Sequence, residues 1–175
     1  MSDAGESLPG QGEFSLTTFD LKIAAGARGC LIDTSIWVEA LRSRDRHIAH
    51  PVTPVIQEIS EADFIYTSRL IVAEIMAGAR TRREAEKLED DFQGFRFCDE
   101  DLTLFRDAAF IRQAYMRAFG KRSIPGLIDC YLVHLAKKEN LIVFTADRPL
   151  RSVAEFRGVK GIFFAIQSKE LSYIT

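Results

Sequence analysis

Leu141-Ile142-Val143-Phe144-Thr145-Ala146-Asp147 is the stretch that decides the fold class. Its first five residues form a continuous apolar and β-branched run, too short for a helix, that stops at an acid. Such a run reads as a strand buried on both faces. Strands of that kind belong to parallel sheets covered by helices on each side. Cys30-Leu31-Ile32, followed by Asp33-Thr34-Ser35, repeats the pattern near the other end of the chain. Phe64–Thr67, Phe95–Cys98 and Gly161–Ile166 supply further strand candidates. Between them lie helical stretches: Ile36–Leu41 after Asp33, a short one at Val55–Ile59, Ser68–Ala79, a charged one at Thr81–Phe92, Asp101–Phe119 ended by Gly120, and Leu127–Lys138, preceded by Pro125-Gly126 and closed by Asn140. Arg42–Pro54 reads as a polar connection, and no element is assigned between Thr145 and Gly161. Alternating strands and helices predict a three-layer α/β/α domain with a central parallel sheet of four or five strands and right-handed crossovers.

The 175 residues are 47% hydrophobic and 27% charged, ordinary globular composition for one domain. That length buries roughly 70% of the unfolded surface, so neither disulfide nor structural metal is needed for folding. Lys and Arg number 23 against 25 Asp and Glu, a formal net charge of -2. A broad basic face for duplex nucleic acid is therefore not expected. Cys30, Cys98 and Cys130 match no C-x-x-C or zinc spacing and read as reduced and buried, which points to a cytoplasmic protein. No apolar run approaches a membrane span, and Met1–Phe14 has neither the basic start nor the apolar core of a secretory leader. The expected organisation is an N-terminal extension over residues 1–28, a domain over 29–167 and a C-terminal tail over 168–175. Within the extension, Phe14–Ile23 alternates weakly and could form an added strand or a short helix.

Ligands of such sheets bind beyond the carboxyl ends of the strands. Asp33 and Asp147 each follow a strand, although an Asp there also serves as an ordinary helix cap. Asp129 lies in the first turn of its helix, where the dipole favours an acid in any case. Glu74 shares a helix face with Leu70, Ile71 and Gly78 and is expected to point inward; pairing with Arg69 or an edge position would explain it without function. Together the four acids converge on one edge of one sheet. At 4 Å and an effective dielectric of 20, each like-charge pair repels by about 4 kcal/mol. A hard divalent cation, Mg²⁺ or Mn²⁺, supplies the missing charge and accepts oxygen ligands. Carboxylates with such an ion suit hydrolysis of phosphoryl esters.

Four blocks carry a family resemblance: Leu31–Val38, Thr67-Ser68 with Ala73–Gly78, Gly126–Asp129, and Leu141–Arg148. In this order and spacing the chain resembles the PIN-domain nucleases, in particular the VapC toxin ribonucleases of toxin–antitoxin pairs, over about Gly29 to Ile166. The resemblance implies a Mg²⁺- or Mn²⁺-dependent endoribonuclease acting on single-stranded RNA. Asp33, Glu74, Asp129 and Asp147 would be its catalytic and metal-binding acids, with Thr34, Ser35 and Thr145 as supporting hydroxyls. It further implies a homodimer and a small cognate antitoxin. The chain departs from the family where a second Asp and a Phe often follow Asp147 and Pro149 and Leu150 stand instead. Val133 and His134 also occupy a helix usually rich in small residues.

Arg80, Arg82 and Arg83, with Arg122 and its neighbours Arg117 and Lys121, and Arg42, Arg44 and Arg46, form basic groups that could hold RNA phosphates, or simply be solvated. Trp37 could stack a base but fits an apolar stripe better, and His134 reads as structural. Two other readings compete with the nuclease. One is a catalytically silent PIN-like module that binds RNA or protein. The other, a phosphatase or phospho-acceptor domain, lacks the second Asp at Ser35 and a Lys soon after Phe144.

Overall fold

The computed structural model describes residues 26–46, 50–120 and 124–174. Among these, six strands form one sheet in the order β3-β2-β1-β4-β5-β6. The strands are β1 (Gly29–Ile32), β2 (Ile65–Thr67), β3 (Arg96–Phe97), β4 (Leu141–Thr145), β5 (Gly161–Ala165) and β6 (Glu170–Ile174). All neighbours pair in parallel except β5 and β6. The helices are α1 (Thr34–Arg46), α2 (Val52–Glu61), α3 (Arg69–Ala77), α4 (Arg82–Phe92), α5 (Thr103–Phe119), α6 (Leu127–Lys138) and α7 (Arg148–Arg157). They pack in two groups: α1 touches α2 and α3, with α4 against α3, while α6 lies between α5 and α7. The α/β class and the mostly parallel sheet agree with the sequence.

The central strands β1 and β4 are buried along their whole length, as covering on both faces requires. Their register runs from Gly29 opposite Leu141 to Ile32 opposite Phe144. Asp33 continues that line by donating its amide to the Phe144 carbonyl at 2.9 Å, which brings it level with Thr145. Two glycines are set by close packing rather than by turns. A Cβ on Gly29 would lie 2.3 Å from the Tyr66 ring, and one on Gly161 would lie 2.1 Å from the Val143 carbonyl oxygen. Trp37 is core, its ring 4.9 Å from that of Phe92 and 5.4 Å from that of Phe95.

Three expectations need correcting. Within the stretch expected as a tail, Glu170–Ile174 pairs antiparallel with β5 and raises the strand count to six among the described residues. Its alternating, half-exposed pattern lacks the continuous apolar run that marks the inner strands. The span between Thr145 and Gly161 holds α7, capped by Asp147 and ended by left-handed Gly158 at φ 62°. Its amphipathic turns, opened by Arg148-Pro149, carry no long apolar stripe. Within the supposed connection Arg42–Pro54, α1 runs on through Arg46 and α2 already begins at Val52. The alternating segment Phe14–Ile23 lies outside the described residues. No helix among the described residues is long and apolar enough to cross a membrane.

A candidate acidic site at the carboxyl edge of the sheet

Parallel pairing puts the ends of β1, β2 and β4 at one edge; Asp33 and Asp147 directly follow β1 and β4, while Glu74 lies within α3 and Asp129 in the first turn of α6. Asp33 follows β1 and is 8% exposed. Its Oδ2 accepts from Ser35 Oγ at 2.6 Å, from Thr145 Oγ1 at 2.9 Å and from the Ser35 amide at 3.4 Å. Ser35 Oγ in turn accepts from the Ala146 amide, and Thr145 Oγ1 from the Asp147 amide, each at 2.9 Å. One hydroxyl pair thus ties the loop after β1 to the loop after β4. Burial pushes the Asp33 carboxyl above its ordinary range; these hydrogen bonds pull it down, and the Asp147 charge adds to the rise.

Asp129 stands in the first turn of α6, and its Oδ2 accepts from the Gly126 amide at 2.7 Å. Its pKa is raised to about 6, first by burial, then by the charges of Asp147, Asp33 and Glu74, against the pull of the Gly126 amide. Asp129 therefore feels the charges of all three other acids. Asp147 caps α7, its Oδ1 accepting from the Leu150 amide at 3.0 Å. The ordinary capping role is real, and it sits beside the electrostatic one.

Glu74 corrects the expectation drawn from its helix face. It is exposed; the buried side chains of α3 are Ile71, Val72 and Ile75. Arg69, suggested as a salt-bridge partner, does not pair with it among the described residues. What positions Glu74 is Thr34, whose Oγ1 donates to Oε2 at 2.6 Å from the start of the neighbouring α1. Ser68 caps α3 through the Ile71 amide at 3.1 Å and so sets where that helix begins.

In each of the four carboxylates these bonds engage one oxygen and leave the other to a different ligand. Among the described residues none of the four forms an ion pair with Arg, Lys or His. Nor do any three His, Cys, Asp or Glu side chains there form a ready-made metal cage. The donor chemistry, four oxygen acids without a protein counter-charge, suits a hard cation that keeps several waters and binds few side chains directly.

Among the described residues the other sequence candidates form no hydrogen bond or ion pair with the four acids. Arg80, Arg82 and Arg83 are exposed at the turn between α3 and α4; Arg82 pairs with Glu86 at 2.8 Å, and the Arg80 amide donates to Glu84 at 2.8 Å. Arg122 and Lys121 lie outside the described residues. His134 Nε2 is 3.4 Å from Asp107, a contact between α6 and α5. The three cysteines are free and buried, and burial raises all their thiol pKa values. Sequence reading missed the part played by the Gly126 amide. Its signal is a glycine three residues before an acid at a helix start, where a Cβ would press on Asp129 Oδ2 at 3.1 Å.

A family model described as the PIN domain matches residues 30–156. Among solved structures, the chain is similar to FitAcB from Neisseria gonorrhoeae, with a TM-score of 0.52 and 22% identity over 72% of this chain and 93% of that one. FitAB bound to an IR36 DNA fragment gives 0.48 and 23%, over 72% and 90%. A toxin–antitoxin complex from Klebsiella pneumoniae gives 0.45 and 17%, over 68% and 87%. At these identities the likeness concerns the fold alone. No curated protein matches the chain.

Proposed function

The chain belongs to the PIN-domain family, and on that premise we propose that it is a metal-dependent endoribonuclease that hydrolyses single-stranded RNA, acting as the toxin of a toxin–antitoxin pair. The observation that carries this reading is the acidic edge itself. Asp129 stands in the field of Asp147, Asp33 and Glu74, and among the described residues none of the four forms an ion pair with a basic side chain.

In this reading Asp33, Glu74, Asp129 and Asp147 hold Mg²⁺ or Mn²⁺ through the oxygens that their protein bonds leave over. When bound, the ion polarises a phosphate and lowers the pKa of a water. The chain's own residues do the positioning. Ser35 and Thr145 fix the plane of the Asp33 carboxylate, Thr34 holds Glu74, and the amides of Gly126 and Leu150 hold Asp129 and Asp147. Bonds of this kind orient ligands from behind. Arg80, Arg82, Arg83 and Arg122 would steer RNA phosphates toward the edge.

The antitoxin follows from the resemblance of the four sequence blocks to VapC toxins, and a cytoplasmic location from the three free, buried cysteines. A homodimer would cover the apolar side chains that α5 and its flanks leave exposed, among them Phe110 at 62% and Phe119 at 61%.

Incubating the purified protein with single-stranded RNA and Mg²⁺ or Mn²⁺ tests the proposal. Internal cleavage that disappears in chelator and in Asp33→Asn is the expected result. The absence of a preformed three-ligand cage among the described residues favours one other reading, a silent PIN-like binding module. Calorimetry showing no Mn²⁺ uptake, with no cleavage, would establish that alternative.

A further inference from the structure

A cavity of about 430 Å³ opens beside the acids, between the start of α7 and the turn that joins β5 to β6. Asp147 forms one wall, so the cavity is continuous with the acidic edge. Arg148, Pro149, Ile166, Gln167 and Ser168 form the rest of the part that matters here.

Arg148 is the informative residue. Its guanidinium enters no ion pair among the described residues, although Asp147 is its neighbour in sequence. It occupies the first position of α7, the positive end of the helix dipole, where a cation is disfavoured. Helix stability therefore does not account for it. A free cation on the rim of an otherwise acidic site is suited to an anion that must approach that site. Next to it, Pro149 and Ile166 offer apolar surface, and Ile166 is 50% exposed at the tip of a hairpin. The Gln167 amide side chain and the Ser168 hydroxyl provide donors and acceptors in the same wall.

A cation, an apolar surface and paired donor–acceptor groups together suit one unstacked nucleotide. We propose that this cavity receives the nucleotide next to the bond being cut. Arg148 takes its phosphate, Pro149 and Ile166 lie against its base, and Gln167 and Ser168 read the edge of that base. At about 430 Å³ the cavity has room for a splayed base. Sequence preference at that position is then set by the β5–β6 turn, outside the four blocks of the resemblance. This inference rests on the nuclease reading for its location but can be tested apart from it.

The 5′-monophosphates of the four ribonucleosides contain no internal phosphodiester, so they can be titrated in Mg²⁺ without being consumed. Amide shifts in two-dimensional NMR report where each one binds. Shifts at Arg148, Gln167 and Ser168 that saturate together, with one base bound more tightly than the rest, are expected. Arg148→Ala should weaken all four roughly tenfold, the loss of one charge-assisted hydrogen bond. Gln167→Ala should level the differences among the bases. Shifts elsewhere only, or equal shifts from inorganic phosphate, would overturn the pocket. RNA cleavage is scored separately on the wild-type protein. An active enzyme with an empty pocket refutes this inference alone. A filled pocket in an inactive protein refutes the nuclease reading and leaves the cavity as a nucleotide-binding site.

Discussion

Asp33 and Asp129 carry charges that folding disfavours. For a carboxylate whose folded pKa is raised, the folded state binds more protons than the unfolded state between the two values. Stability therefore falls as pH climbs through that window and is flat above it. For Asp129 the window runs from the ordinary carboxylate range to about 6. In chelator at pH 7.5 or so, Asp129→Asn should raise the melting temperature by a few degrees, about 1 kcal/mol after allowance for partial exposure. The gain should vanish near pH 4, and calorimetric melts across pH will show whether it does. The same variant should lose at least about a hundredfold in cleavage rate, as expected when a group acting on developing charge is removed. Thr145→Val acts differently. Thr145 is fully buried and supports both Asp33 and the Asp147 amide, so losing its hydroxyl should cost about 1–3 kcal/mol in urea unfolding. At this scale the sequence was readable where an acid follows a strand. It was misleading at Glu74, because helix periodicity tells which face a residue shares but not what the neighbouring helix places opposite it. Thr34, forty positions away, decides that.

At the level of elements, the inner strands were legible because burial on both faces leaves only apolar residues, as in Leu141–Phe144. Strand β6 was not, because an edge strand keeps a polar face and reads like a loop. Helix α7 was hidden for a related reason: its buried residues are only Leu150, Val153 and Ala154. Packing between elements makes a sharper prediction than either pattern. Gly161→Ala forces a methyl group against the Val143 backbone in the β4–β5 pair, and the backbone cannot yield as a side-chain tip can. Destabilisation of about 2–3 kcal/mol should follow, measured as a fall in the denaturant midpoint with the slope unchanged. Gly158→Ala would instead test left-handed backbone and should cost less, since open space surrounds that position.

For the whole molecule, the acids and the fold exchange stability. Ligands that bind only the folded protein stabilise it, by about 2.7 kcal/mol at a hundredfold excess over Kd. Adding Mn²⁺ to chelated wild-type protein should therefore raise its melting temperature, and the same addition to Asp33→Asn should do so far less. Protons compete for the same oxygens, so the Mn²⁺ effect should weaken as pH drops below about 6. Association is a separate matter. If the proposed homodimer forms through α5, replacing Phe110 and Phe119 by Glu should shift sedimentation from dimer to monomer while leaving the helical circular dichroism unchanged.

The pairing of β1 with β4 has one more consequence. Asp33 meets the Thr145 hydroxyl across 112 positions of chain. A polypeptide emerging from the ribosome displays its first two acids long before the remaining two exist, and its middle strand waits meanwhile for a neighbour still unmade. An edge built from all four acids cannot be complete until residue 147 has been translated.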